Sequence, residues 1–341
     1  MNAAWTGEIW DEFGATVDLS PYVLASEVQA MSREVVNSVL YSGKSAIVTD
    51  VDGLKAMIDN DEEEVEITLN KDIAISSTIE IPEGKKVTLD LGGNAITASG
   101  MALSAEGSDI VIENGSITSN SNDAISITAG STLTIDGADI TSARRQGVSA
   151  TESEVIMNSG SVTSQEAGIA WFKDSTITIN GGTIISNDNG AIMGNGSPAG
   201  ADNDGTNLHV VMNGGKIIGH IKSPGYIACA VYIPNSGSFT MNGGEIESDG
   251  CGICMRGGTI NLNAGSIVAT GVSGTTGKVG DSRVVVGPYA VVYDAQSKYP
   301  DVENLELNIA EGMILQGTDG DIQIVESSYT PNINDNRVLG D

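Results

Sequence analysis

The sequence predicts an all-β protein in which short parallel coils stack on one another. The first observation is a motif that returns about once every 22 residues: an alternating apolar strand, Asn-Gly-Gly or a close relative, and a second short apolar strand. The second observation is that this motif is too short to bury its own apolar face, and it becomes stable when its neighbours stack on it. The copies lie at residues 87–97, 110–118, 133–141, 155–163, 177–185, 210–218, 239–247 and 260–268.

Apolar residues recur at three places in each repeat, which predicts three strands per turn of the coil. Alternation with a period of two gives each strand one buried and one exposed face. Stacked in register, these strands would form three parallel sheets over about ten rungs. The first ladder includes Leu89, Ile112, Ile135, Met157, Ile179, Met212, Met241 and Leu262; the second is Ile117, Ile140, Val162, Ile184, Ile217, Ile246 and Ile267; the third is Leu103, Ile125, Val148, Ile169, Ile192, Val231, Ile253, Val291 and Ile322.

One asparagine falls at the same register in five of the repeats. Stacked asparagines can hydrogen-bond from rung to rung, and asparagine tolerates the left-handed backbone that we expect at this corner. A glycine after it would relieve the cost of a positive φ. We interpret the column as a structural corner of the fold, formed by Asn158, Asn180, Asn213, Asn242 and Asn263.

The repeat pattern resembles the right-handed parallel β-helix of the pectate-lyase-like superfamily, as in VTLDLGGNAIT (87–97), ITINGGTII (177–185) and FTMNGGEIE (239–247). The resemblance covers roughly residues 65–325 and implies a right-handed, single-stranded coil with a cap at its N-terminal end. It does not imply one activity, because the same fold serves lyases, glycosidases, adhesins, bacteriophage tailspikes and capsid fibres.

The chain divides into four parts by pattern. Residues 52–59 have the spacing of a short amphipathic helix, with Asp52 as the expected N-cap and Leu54, Met57 and Ile58 facing inward. We predict an N-terminal anchor or oligomerisation segment at 1–45, a helical cap at 46–64, the β-helix at 65–329 and a C-terminal tail at 330–341.

The N-terminal segment is the first candidate for partner binding. Trp5, Trp10 and Phe13 stand in a stretch too short to bury them, and burial of a large apolar side chain is worth about 1.5–3 kcal/mol. A helical pattern at residues 22–40 adds an apolar stripe with nearly heptad spacing. We therefore predict that these aromatic residues bind a partner, together with the stripe Leu24, Val28, Met31, Val35 and Val39.

Charge excludes two classes of partner. The 341-residue chain has a net charge of −29, from 45 acidic and 16 basic residues. A phosphate backbone or an anionic membrane surface would repel it, and we expect neither nucleic-acid nor membrane binding. The start of the chain lacks the basic and apolar regions of a signal peptide, and no stretch reaches the ~20 apolar residues of a membrane span. We therefore expect synthesis in a cytoplasm.

The three cysteines, Cys229, Cys251 and Cys254, are too few for a disulfide framework. Cys229 and Cys251 are one repeat apart, and adjacent rungs would place them within reach of a disulfide. The simpler interpretation is a pair of reduced thiols stacked in the core. No histidine stands near them in the sequence, which disfavours a zinc site.

Catalysis on this fold would use carboxylates on the outer face of a sheet. At the middle outward positions of the first and third sheets the alternation leaves one carboxylate, Glu306, and the second sheet adds Glu247. Glu166 and the neighbouring Arg144-Arg145 read as ordinary turn charges. We therefore predict no catalytic residues and no cofactor.

Two further groups remain as candidates. Asp202 and Asp204 have acidic spacing reminiscent of a calcium loop but lack the bidentate Glu of an EF-hand; we predict no metal and name them as the candidates for calcium. The outward residues of the third sheet also change from serine to apolar. An exposed apolar strip indicates an interface, unless long loops fold back and cover it. The strip is Ala170, Met193, Tyr232, Cys254 and Val292.

These features favour a non-enzymatic structural virion protein, of the kind that forms phage head fibres, capsid decorations or tailspikes. Residues 1–45 would bind a capsid or tail protein, and the acidic β-helix would project as a homotrimer that can bind a cell-surface glycan. We expect it in the virion after synthesis in the host cytoplasm. The alternatives are a polysaccharide lyase or hydrolase of the same superfamily and a bacterial adhesin, placed at the cell surface or secreted.

Overall fold

The computed structural model of the protein describes backbone and side chains at residues 41, 43–194, 208–221, 229–234, 237–274, 287–294, 305–325 and 329–337, and the backbone alone at 8–10, 16–18, 277–279 and 284–286. The described chain winds into a parallel β-solenoid of about 11 turns. Three sheets run along this coil, and each complete turn contributes one strand to each sheet, while the first sheet has further strands at its ends.

The first and second sheets meet at the asparagine corner, and two long strands bend through both of them. The first sheet contains Ser45–Val48, Glu64–Leu69, Lys86–Asp90, Asp109–Ser119, Thr132–Ser142, Glu154–Met157, Thr176–Ile179, Leu208–Met212, Gly237–Met241, Thr259–Leu262, Glu306–Ile309 and Asn332–Asp335. The second sheet contains Ile73–Ile75, Ala95–Ala98, the far halves of the two long strands, Gly160–Ser164, Thr183–Ser186, Lys216–Gly219, Glu245–Ser248, Ser266–Ala269 and Ile314–Gly317.

The third sheet has ten strands, all parallel. They are Ile79–Ile81, Leu103–Glu106, Ile125–Thr128, Val148–Thr151, Ile169–Phe172, Ile192–Gly194, Cys229–Ile233, Cys251–Met255, Tyr289–Tyr293 and Gly320–Ile324. Two antiparallel pairs stand apart from the coil sheets: Glu8–Trp10 with Thr16–Asp18, and Gly277–Val279 with Val284–Val286.

The predicted register is confirmed in the second and third sheets. In the third sheet Leu103 lies opposite Ile125, and the same column continues rung by rung as far as Ile322. In the second sheet the column from Ile117 to Ile267 is equally continuous. Apart from Ile322, which is partly buried, these side chains lie in one buried apolar core that extends from Val48 to Leu315.

A short helix, Val51–Ile58, covers the N-terminal end of the core through the buried residues Leu54, Met57 and Ile58. The predicted N-cap was wrong. Asp50, with an extended backbone at φ −152°, accepts a 2.8 Å hydrogen bond from the N–H of Gly53. The helix begins one residue earlier than its apolar spacing suggested, which places Asp52 in the first turn.

The predicted backbone of the asparagine corner was also wrong. Asn180 still belongs to the sheet, because its N–H donates a 2.8 Å hydrogen bond to the carbonyl of Met157 on the preceding rung. The positive φ falls two residues later, at Gly182 (+79°) and, one turn on, at Gly215 (+82°). The turn therefore follows the asparagine, and at these two rungs glycine adopts the left-handed conformation.

Buried serines form another corner, between the second and third sheets. Ser142 Oγ donates to the carbonyl of Asn122 at 2.8 Å and accepts from the N–H of Arg145 at 3.0 Å. Such side chains satisfy backbone groups that the bend removes from the sheets. The column contains Ser119, Ser142, Ser164 and Ser186. Within the described residues, no helix has the length and apolar character needed to cross a bilayer.

Candidate functional site

The asparagine column is a continuous chain of side-chain hydrogen bonds on the outside of the coil. Each Nδ2 donates to the Oδ1 of the preceding rung, at 2.9 Å from Asn180 to Asn158, from Asn213 to Asn180 and from Asn242 to Asn213, and at 2.8 Å from Asn263 to Asn242. All five residues are exposed. Their amides are therefore engaged with one another, which fits a structural corner better than a ligand site.

A second asparagine ladder lies on the outer face of the first sheet. Asn308 donates to Asn261 at 2.9 Å, and Asn334 donates to Asn308 at 2.8 Å. The assignment of Glu306 to this column was wrong, because Glu306 lies opposite Thr259 and Asn308 lies opposite Asn261. The segment between the strands Thr259–Leu262 and Glu306–Ile309 is longer than one repeat, and counting along the sequence therefore does not give the register of this rung. The middle outward column from position 88 to position 334 therefore carries no carboxylate.

An acidic groove of about 610 Å³ lies against the outer face of the third sheet, near the N-terminal cap. Four exposed carboxylates line it together with hydroxyl and apolar groups. The lining is Asp59, Glu80, Ile81, Pro82, Glu83, Ser104, Ala105, Glu106, Ser126 and Thr128. Sequence reasoning missed this groove, because it followed the middle column of each sheet and did not include Glu80 or the strand-end Glu106. The signal available was the density of acids at residues 59–66, 80–83 and 106.

Lys85 stands beside this groove and is almost completely buried. Its Nζ donates to the carbonyl and to the Oδ1 of Asn60, at 2.7 and 3.0 Å. Burial lowers the pKa of Lys85, and the charges of Asp59, Asp61 and Glu62 oppose that shift. The lysine therefore ties the turn after the cap helix to the next rung and balances part of the local negative charge.

The turn charges around Glu166 divide into two separate contacts. Arg145 Nε lies 3.5 Å from Asp123 Oδ1, and the amide of Gln146 donates to Glu166 at 3.2 Å. Burial raises the pKa of Asp123, while Arg145 and the N–H of Gln146 act in the opposite direction. The arginine is thus paired with Asp123 and not with Glu166. The contacts link successive turns of the coil, as ordinary turn charges do.

The apolar strip of the third sheet is covered, which is the second of the two alternatives that the sequence left open. Ala170, Tyr232, Cys254 and Val292 are at most 4% exposed, and Met193 is partly buried. Alternation identifies the face on which a side chain lies but not whether other segments cover that face. Tyr232, Cys254 and Val292 form a buried cluster with Cys229 and Cys251. Ile221, Tyr289 and Val325 are among the residues that pack against this cluster.

A buried ion pair lies at the same end of the third sheet. Arg256 Nε is 3.1 Å from Asp294 Oδ2, and the two side chains are 1% and 0% exposed. The guanidinium also stands over the ring of Tyr232, 5.4 Å from its centroid. Sequence reasoning missed this pair, because Arg256 and Asp294 are 38 residues apart, separated by a segment at residues 269–288 that lengthens this turn well beyond the repeat.

The three cysteines are free and buried. Cys229 lies directly opposite Cys251 in adjacent strands. Burial and the contact with Cys251 raise the pKa of Cys229, and the contact with Cys229 and burial raise the pKa of Cys254. Both effects favour the protonated thiol, which is the unreactive form.

Several predicted site residues lie outside the described residues. These are Trp5 and Phe13, the stripe Leu24, Val28, Met31, Val35 and Val39, and the calcium candidates Asp202 and Asp204. Trp10 is described through its backbone, as the last residue of the strand Glu8–Trp10. In the part of the chain with described side chains, no group of three or more His, Cys, Asp or Glu residues has the arrangement of a metal site.

Comparison with known proteins agrees with the fold. Residues 56–205 match the family described as "Right handed beta helix region". No curated protein and no solved structure matches the chain significantly. The match over this part of the chain and the three parallel sheets support a right-handed parallel β-helix fold, and right-handed is the hand expected of connections between parallel strands.

Proposed function

We propose that the protein is a non-enzymatic structural protein of a virion, such as a phage head fibre, capsid decoration or tailspike. In this proposal residues 1–40 attach the chain to a capsid or tail component, and the β-helix projects as part of a homotrimer. The virion is its site of action after synthesis in the host cytoplasm.

The observation that carries the proposal is the single core from Val48 to Leu315. A coil of about 11 rungs with one core and one capped end is a stiff rod of roughly 50 Å. Many of its regularly repeated polar side chains stabilise the coil, since the asparagine ladders and the corner serines form hydrogen bonds to neighbouring rungs. This arrangement supports a mechanical role.

We place the boundary between the proposed attachment segment and the coil after residue 40. Asn60 Nδ2 donates to the carbonyls of Tyr41 and Gly43, both at 3.0 Å, and the N–H of Glu66 donates to the carbonyl of Lys44 at 2.7 Å. Residues 41–45 therefore support the cap, and deletion through residue 45 would damage the fold as well as the anchor.

The test compares the full chain with a chain that lacks residues 1–40. Both should give the same far-UV circular dichroism and the same unfolding midpoint. The full chain should be incorporated into particles assembled in the host, and the shortened chain should not. Normal incorporation of a well-folded shortened chain would contradict the anchoring role.

The acidic groove favours a second function, cleavage of a polysaccharide. Paired carboxylates are the usual acid and base of glycan hydrolysis, and Glu80, Glu83 and Glu106 line one groove. The test is release of reducing ends or unsaturated products from bacterial polysaccharides. Activity of the wild-type protein that is lost on Glu80→Gln, Glu106→Gln, Glu166→Gln or Asp204→Asn would favour the enzyme over the structural protein.

A further inference from the structure

The outer face of the first sheet contains a patch without formal charge. Four successive rungs, at residues 176–180, 209–213, 238–242 and 259–263, each present three outward residues, and none of the twelve is Asp, Glu, Lys or Arg. All twelve are at least partly exposed to solvent. We call this patch the neutral face. Its centre is the column Thr178, Val211, Thr240 and Asn261.

Charged residues lie beyond both ends of one outer column of the neutral face and across the asparagine corner from it. Glu154 precedes Thr176 in its column, and Glu306 follows Thr259. Across the asparagine corner, Lys216 and Glu245 begin the strands of the second sheet. A centre without charge that has charged residues at its margins is the pattern found at protein–protein contacts, where charged residues are depleted in the core and retained at the rim.

The side chains of the neutral face are already ordered. The asparagine ladder fixes one edge, with bonds of 2.8–2.9 Å, and His209 Nδ1 lies 2.8 Å from Ser238 Oγ at the other edge. The centre consists largely of β-branched threonine and valine, which have few rotamers. Contact with a partner would therefore immobilise little that is now free, which lowers the entropic cost of association.

We propose that the neutral face is the surface through which copies of this chain pack against one another in the homotrimer. A chain with a net charge of −29 repels its own copies over most of its surface, and opposed like charges cost several kcal/mol. The neutral face lets two copies approach without opposing carboxylates at the centre. Four rungs at ~4.8 Å and strands of five residues give about 300 Å², the size of the central part of a standard interface of ~800 Å² per partner.

This proposal rests on the self-association included in the proposed function. The test is the oligomeric state of the full chain by sedimentation velocity at physiological salt. The double variant Thr178→Glu/Thr240→Glu places two carboxylates at the centre of the neutral face. The matched control is Thr118→Glu/Thr163→Glu, which changes the net charge equally on the outer face of the second sheet, also two rungs apart.

We expect wild type and control to associate alike, and the dissociation constant of the face variant to rise at least about 30-fold. A monomeric wild type would overturn both the self-association and this face. If the wild type is an oligomer and both double variants self-associate with equal affinity, the role of the neutral face is overturned and the self-association stands. A monomer whose neutral face instead binds an uncharged polysaccharide, with loss of binding in Thr178→Glu/Thr240→Glu, would overturn the proposal in favour of a glycan.

A second measurement does not depend on how the glutamate variants fold. Thr240→Cys places an exposed thiol at the centre of the neutral face, and Thr163→Cys places one on the second sheet, while the three native cysteines are buried. A short bis-maleimide should join two copies of the first variant and not of the second. Absence of joined Thr240→Cys copies in a protein that sediments as an oligomer would contradict the proposed contact.

Discussion

The Nδ2 atom of Asn213 lies 2.9 Å from the Oδ1 atom of Asn180, on the preceding turn of the coil. Asn213 also accepts a 2.9 Å hydrogen bond from Asn242 on the following turn. One side chain therefore joins three turns, and the same relation is repeated along the corner. The ladder explains why asparagine recurs at this register although its backbone conformation does not require it.

Replacement of Asn213 by alanine should lower the free energy of unfolding by about 1–2 kcal/mol. Two hydrogen bonds are lost, each worth roughly 0.5–1.5 kcal/mol net, and solvent at this exposed corner compensates part of the loss. Urea denaturation followed by circular dichroism measures the change. Asn187→Ala is the control, since the described structure shows no hydrogen bond to the Asn187 side chain; equal losses in the two variants would contradict a stabilising ladder.

Gly215→Ala should destabilise the coil by more than about 2 kcal/mol. Its φ is +82°, a conformation that costs an L-residue roughly 1–2 kcal/mol. An added Cβ would also lie 2.7 Å from the carbonyl oxygen of Gly182, a backbone atom that cannot move aside. Gly100→Ala, which would meet no atom within 4 Å, serves as the control in the same denaturation experiment. A small and equal effect of both changes would show that the corner tolerates a side chain.

Asp294→Ala should cost about 3–5 kcal/mol, because it leaves the buried guanidinium of Arg256 without its carboxylate. The double change Arg256→Met/Asp294→Leu should recover most of that loss, since it removes both charges and keeps the volume. Urea denaturation of the single and the double variant measures how far each lowers the free energy of unfolding. Lys86→Ala, which breaks an exposed 3.9 Å pair with Asp109, should cost at most ~1 kcal/mol; a comparable cost for Asp294→Ala would contradict the burial of its ion pair.

The C-terminal end of the coil should become less stable in acid. Arg337 contacts Asp335 at 2.7 Å and Asp321 at 2.9 Å, and its hydrogen bonds lower the pKa of Asp335. Because the pKa of Asp335 is lower in the folded state, its contribution to the free energy of unfolding is complete above the pKa of an ordinary Asp, near 3.9. It is lost as the pH falls through the lowered folded value.

Arg337→Met tests this contribution. At pH 7 the variant should unfold at a lower denaturant concentration than the wild type, and the difference should shrink below about pH 4 as Asp335 becomes protonated. Arg144→Met is a control for the loss of one exposed positive charge. A difference that stays constant from pH 7 to pH 3 would exclude the contribution of Asp335.

The sequence was sufficient to predict the sheets because each stacked column repeats a residue type. The third-sheet column from Leu103 to Ile322 could be aligned across insertions, since its apolar residue follows a small residue in most turns. The asparagine corner was found in the same way. The serine corner could have been found too, because Ser119, Ser142, Ser164 and Ser186 each stand two residues after a buried apolar residue.

Features that depend on contacts between distant segments could not be predicted in this way. The burial of Tyr232 and Cys254 depends on segments outside the sheet, and alternation along one strand contains no information about them. The pair Arg256–Asp294 spans an insertion. The acidic groove joins the turn after the cap helix, at Asp59, to strands that follow later in the chain, including Glu106. Prediction of each of these features requires knowledge of the three-dimensional path of the chain.

The most direct test of the proposed structural role is the protein content of virus particles purified from cells that carry the gene for this chain. Quantitative mass spectrometry of the particles should detect the full chain at a fixed number of copies. Replacement of the gene by one that lacks codons 1–40 should give particles without the chain, although the shortened protein folds and accumulates in the host. Particles that never contain the full chain, together with a free protein that cleaves a bacterial polysaccharide, would contradict the account.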